Sequence, residues 1–166
     1  MSIDELVGKS PAELRALYGS GQPADPSALG SAPKGRLLAL ESPERVHRLV
    51  RPALELVSKR LLPWKGKSFD LGGGTGRNRV FGFEAVGFVS ERGASELDGA
   101  PTLFLRYDDP SLRNPWPLNC IVDELRAVEE GVAVGPASLR VMGKSVLLFW
   151  WGLEGGGGFS ERQEWP

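Results

Sequence analysis

A chain of 166 residues that is 41% hydrophobic and 25% charged has a globular composition, because disorder goes with fewer apolar residues and a larger net charge. Its length suits one domain of the usual roughly 100–200 residues, and a formal net charge of −1 gives no positive field to gather phosphates or anionic lipid, so neither nucleic acid nor a membrane is expected as a partner. The lone Cys120 excludes an internal disulfide and a thiolate zinc site, which suits a reducing cytoplasm. No stretch approaches the ~20 apolar residues of a membrane span, and the opening MSIDELVGKS lacks the basic start and apolar run of a signal peptide.

Ser10-Pro11-Ala12-Glu13 combines an N-cap, a proline at the first helical position and a capping-box acid, and Leu14, Leu17 and Tyr18 then share a face. A short helix over 11–18 is predicted, ending at Gly19. From Gly19 to Pro33 the glycines, prolines and serines suit a surface-wrapping loop, in which Asp25-Pro26-Ser27 can cap a single turn. Ser42-Pro43-Glu44-Arg45 repeats the start signal, and Val46, Leu49, Val50, Ala53, Leu54, Val57 and Leu61 follow helical spacing, so a second helix is expected over 43–61, kinked at Pro52. The helical segment thus occupies about 10–61.

After Pro63 the period changes from 3.6 to 2. Phe83 to Ser90, Thr102 to Tyr107, Ala137 to Met142 and Ser145 to Leu153 read as strands, with Asp98-Gly99 and Gly143-Lys144 as hairpin turns. In the last of these, Val146, Leu148 and Trp150 fall on one face and Leu147, Phe149, Trp151 and Leu153 on the other. A strand apolar on both faces is covered twice, as in a barrel clad partly by helices. The fold expected is therefore mainly β with N-terminal helices, an α+β protein built on an antiparallel, lipocalin-like β-barrel over 1–154. Residues 155–166, starting with four glycines, are expected to form a flexible tail.

Several segments resemble those of an uncharacterised bacterial family of lipocalin-like (calycin-like) proteins. They are Ser10-Pro11-Ala12-Glu13-Leu14, Gly35-Arg36-Leu37-Leu38, Trp64-Lys65-Gly66-Lys67-Ser68-Phe69-Asp70, Asn78-Arg79-Val80, Asn114-Pro115-Trp116-Pro117, Asp123-Glu124-Leu125-Arg126 and Gly131-Val132-Ala133-Val134-Gly135. The chain is also distantly similar to Gly-X-Trp-X-Gly proteins, although Gly30-Ser31-Ala32-Pro33-Lys34-Gly35 stands where that motif would fall and lacks its tryptophan. The resemblance implies a barrel and a pocket, with no established reaction.

Asp70-Leu71-Gly72-Gly73-Gly74-Thr75-Gly76 looks like the glycine-rich loop of methyltransferases that use S-adenosylmethionine. That loop must follow a buried parallel strand and open a helix, whereas Trp64 to Phe69 is too polar for a central strand and Gly82 and Gly87 would interrupt the helix. A hairpin loop at the barrel rim is the better reading, and no cofactor is expected. Lone His47 and Cys120 point to no metal site. Trp64, Trp116, Trp150 and Trp151 either line a cavity or fill the core and seal its ends, Trp116 at a barrel end. Arg79, if turned inward, needs a partner: Asp123, Glu124 or an anionic ligand group.

The function expected is binding of a small hydrophobic or amphipathic molecule in the barrel, with Trp64, Arg79, Tyr107, Leu148 and Trp150 bordering the cavity and Arg79 as its polar anchor. The alternative is an enzyme on the same scaffold, a cyclase, isomerase or hydrolase using Tyr107, Asp108 or Asp123 for proton transfer. A charge left unpaired in the cavity would favour the enzyme.

Overall fold

The structure, a computed structural model, describes residues 1–41, 63–80 and 83–156. Two short helices begin it, α1 (Ile3–Leu6) and α2 (Pro11–Ser20). Both halves of the capping box form at α2: Ser10 Oγ accepts from the Glu13 N–H at 3.3 Å, and the Glu13 carboxylate accepts from the Ser10 N–H at 2.8 Å. The helix runs through Gly19, where its sequence predicts a stop, because docking of Leu14 and Tyr18 outweighs the ~1 kcal/mol cost of a helical glycine. Strand β1 (Gln22–Pro23) follows, then the single turn α3 (Pro26–Leu29), capped by Asp25 through the Ser27 N–H at 2.9 Å. The expected helix over 43–61, His47 included, lies outside the described residues, as does the tail from 157 onward.

Eight strands then form one continuous antiparallel meander: β2 (Lys34–Leu40), β3 (Trp64–Asp70), β4 (Thr75–Val80), β5 (Phe83–Ala94), β6 (Pro101–Arg106), β7 (Ile121–Glu129), β8 (Val132–Val141) and β9 (Lys144–Glu154). Each pairs with the next, and β9 pairs back with β2, so the sheet closes into a barrel. Strand β1 extends the free edge of β7 beyond the end of β6, pairing with Arg126 and Ala127. Closure removes the unpaired edges that an open sheet would expose. It also rules out the parallel sheet of the methyltransferase reading, and the glycine-rich run is the tight β3–β4 turn, with Asp70 Oδ1 accepting from the Gly72 N–H at 3.2 Å.

Trp64 to Phe69, too polar on its face to be a central strand, forms β3 inside this ring. Its polar side chain Lys67 is buried and paired inside the barrel, which removes the desolvation objection.

Apolar side chains collect on both surfaces of the sheet. Inside lie Phe69, Phe88, Leu105, Leu125, Leu139, Leu148 and Trp151. Outside, α1 and α2 cover Leu38, Val134 and Trp150 with Ile3, Leu6, Leu14 and Tyr18. Strand β9 is therefore covered twice, as its sequence implies. Its two faces are not the ones that strict alternation gives. A register shift opposite Ala137 and Ser138 leaves Val146, Leu148 and Phe149 with the inner core and sends Trp150 outward.

Candidate functional site

The centre of the barrel holds a lysine. In β3, Phe69 and Lys67 face inward by alternation, and a register shift between Trp64 and Gly66 brings Trp64 to the same side. Glycine is required at both backbone crossings there. Gly66 has φ +135°, and a Cβ on it would lie 2.3 Å from the Pro33 carbonyl oxygen; one on Gly35 would lie 2.5 Å from the Trp64 ring. The ring therefore lies across β2 only because Gly35 has no side chain.

Four other strands aim residues at the same point. Strand β4 supplies Asn78, β5 Phe88, β7 Asp123 and β9 Trp151, while Tyr107 follows directly on β6. Lys67 Nζ donates to Asn78 Oδ1 at 2.9 Å, Tyr107 Oη at 2.6 Å and Asp123 Oδ2 at 2.9 Å. Tyr107 donates in turn to Asp123 Oδ2 at 2.8 Å. Asn78 accepts from Trp64 Nε1 at 3.1 Å and donates to the Val86 carbonyl at 3.1 Å. Val86 occupies the left-handed region, φ 55°, at the register shift of β5 against β4. The bulge thus presents a carbonyl inward to Asn78.

Aromatic rings enclose the amine. Nζ lies 4.6 Å from the centroid of Trp151, 5.1 Å from Phe88, 5.4 Å from Tyr107 and 5.6 Å from Trp64, within the range of cation–π attraction. Lys67 is 2% exposed and Asp123 5%, so the pair is removed from water almost entirely. Burial pushes the Lys67 amine below its ordinary pKa, against the pull of Asp123, and burial together with Asp123 holds the Tyr107 phenol well above its own. Trp151 Nε1 is buried and, among the described residues, has no hydrogen-bond partner; Trp150 Nε1 on the outer face is in the same condition. A cleft of about 350 Å³ adjoins the barrel between β3, β4, β5 and Leu112, and Phe69, edge-on to Phe88 at 5.5 Å, forms part of its wall.

Of the residues predicted from sequence to border a cavity, Trp64 and Tyr107 belong to this cage and Leu148 to the surrounding inner core. Arg79 does not meet Asp123 or Glu124. Its guanidinium donates to the carbonyls of Ala32 at 3.1 Å and Pro33 at 2.7 Å, tying β4 to the segment leading into β2. Trp150 stands outside, edge-on to Tyr18 at 5.9 Å. Trp116 is 67% exposed and seals no barrel end. The buried cation of the interior is Lys67, missed in the sequence because a lysine in a polar-looking strand reads as solvated; its one signal is its alternation with Phe69.

Glu124 and Arg126 alternate with Asp123 and point outward beneath α2. The Tyr18 hydroxyl hydrogen-bonds Glu124 and lies 3.1 Å from Ser95 Oγ and 3.0 Å from Thr102 Oγ1. Arg126 stacks over the Tyr18 ring at 4.1 Å and forms a bidentate pair with Asp98 at 2.7 and 2.6 Å. These charges fasten the helix to the barrel.

Fold and interior together define a closed, lipocalin-like antiparallel barrel with a buried lysine–aspartate pair at its aromatic centre. It is similar in structure to a protein from Thermomonospora curvata, with a TM-score of 0.54 over 92% of each chain and 16% sequence identity. That likeness is one of fold. No protein-family model and no curated protein matches the chain.

Proposed function

We propose that the chain binds a small hydrophobic or amphipathic molecule inside the barrel. The observation that carries this reading is a ring of aromatic side chains converging on a few fixed polar groups, Lys67, Tyr107, Asn78 and Asp123, the composition of small-molecule sites in barrels. The Trp151 N–H, unpartnered among the described residues, supports it, since a ligand oxygen would supply the missing acceptor. Among the described residues every ionisable group at the cage is paired with another, which favours binding over the enzyme alternative. Asp108, one of that alternative's proton carriers, is held outside by Arg106 at 2.8 Å.

The test is a titration with 1-nonanol, nonanoate and an aromatic alcohol, read by intrinsic tryptophan fluorescence and thermal unfolding. Trp151 and Trp64 stand in the cage, so a bound molecule should shift the emission. A ligand at a hundred times its Kd should raise stability by about 2.7 kcal/mol. If no member changes either signal at its solubility limit, the binding reading fails.

A further inference from the structure

We propose that Lys67 captures an apolar aldehyde or ketone inside the barrel as a reversible imine. The inference rests on the binding reading and adds the reactive group of the ligand.

The geometry supplies the amine and the two proton-transfer groups that the reaction needs. Lys67 Nζ is a buried amine with a carboxylate at 2.9 Å, Asp123 Oδ2, and a phenol at 2.6 Å, Tyr107 Oη. Imine formation releases water and is reversed by it, so an amine walled by Trp64, Phe88, Tyr107 and Trp151 protects the product as a surface lysine would not. The Trp151 N–H, without a partner among the described residues, would be a donor for the carbonyl oxygen. The depressed basicity of the amine agrees with a nucleophilic role, as for other desolvated lysines.

The step balances without an oxidant or reductant. Asp123 takes one proton from the ammonium, freeing the lone pair, which forms the C–N bond as the C=O π pair moves to oxygen. That oxygen takes the Tyr107 proton, and the nitrogen returns one of its own to the tyrosine. The proton on Asp123 then passes to the carbinolamine hydroxyl, which leaves as water while the nitrogen lone pair closes the C=N bond. The product is a protonated imine with Asp123 as its counter-ion.

The full-length protein is incubated with propanal, nonanal or benzaldehyde, then with sodium cyanoborohydride, and the adducts are located by peptide mass mapping. The expected result is more alkylation at Lys67 than at the exposed Lys34, Lys65 and Lys144 together for at least one aldehyde. Lys67→Arg, which keeps the cation, should lose that adduct while still unfolding in one cooperative thermal transition. Wild-type protein unmodified at Lys67 by all three aldehydes, or modified no faster there than at exposed lysines, overturns the imine. In that event a retained response to 1-nonanol leaves the binding reading standing, and its loss removes both.

Discussion

Removing one member of the Lys67–Asp123 pair should be worse than removing both. Asp123→Leu leaves an ammonium, 2% exposed, without its counter-charge, which costs about 3–5 kcal/mol for a buried pair. Lys67→Met leaves the carboxylate in the same position, at a similar cost. In Lys67→Met/Asp123→Leu no charge remains. Asn78 Oδ1 still accepts from Trp64 at 3.1 Å, and Tyr107 Oη still accepts from Asn78 at 3.2 Å. Only the Tyr107 hydroxyl proton loses its acceptor, a loss of about 1–3 kcal/mol, offset in part by the added apolar contact. The double variant should therefore lie closer to wild type than either single one, with a coupling energy of at least about 3 kcal/mol. Urea unfolding followed by both fluorescence and far-ultraviolet circular dichroism measures all four proteins. Total stability is on the order of 5–15 kcal/mol, so the single variants should remain partly folded. Costs that add to within about 0.5 kcal/mol would refute the pairing.

Tyr18→Phe should cost about 1.5–3 kcal/mol, the range for a hydrogen bond to a charged group, since among the described residues Glu124 then keeps only the Glu96 N–H at 2.9 Å; urea unfolding reads it. Arg126 holds the Asp98 carboxyl at about 2, down from 3.8. A depressed carboxylate stabilises the fold above its unfolded pKa and loses that contribution as pH falls through the folded value. Wild-type stability should thus fall from pH 3.8 toward 2 more steeply than that of Asp98→Asn, and parallel acid-unfolding profiles would contradict the assignment. A Cβ on Gly135 would stand 1.6 Å from the Glu124 carbonyl oxygen, whereas one on Gly143 meets nothing within 4 Å. Gly135→Ala should accordingly abolish soluble expression or cost at least ~3 kcal/mol, the upper range for overpacking. Gly143→Ala should cost only the strain of its φ of +77°, about 1 kcal/mol.

Periodicity made the strands β5, β6, β8 and β9 legible, and the cap at Ser10 made α2 so, because these signals act within a few residues. Bulges escaped it. Alternation put Trp150 beside Leu148, and a single register shift in β9 separated them, since one extra residue flips every side chain beyond it. Trp64 and Lys67, three apart, reach one face by the same device. Charge misled for a related reason. A sequence shows that a lysine is polar, but only the folded ring brings Asp123, 56 residues away, to neutralise it. Arg79 was the more conspicuous cation, yet backbone carbonyls two strands over already hold it.

The run Asp123-Glu124-Leu125-Arg126 joins the two cores of the molecule. Alternation along β7 sends Asp123 and Leu125 into the barrel and Glu124 and Arg126 under α2, and all four are buried. Such a strand cannot slip by one residue: Asp123 would be carried out toward Tyr18, and Glu124 in toward Lys67 with a side chain one carbon too long for the cage. Two buried charge networks on opposite faces fix the register more strictly than apolar alternation could, because each misplacement leaves a charge without a partner. The same strand couples helix to cage. Docking of α2 through Tyr18 holds β7 from outside at Glu124, one residue from the carboxylate that holds Lys67. Hydrogen exchange should therefore show β7 among the slowest segments of the barrel, and Tyr18→Phe should speed exchange in β7 as well as in α2. Loss of protection confined to α2 would mean that the helix is an independent covering and that the cage stands without it.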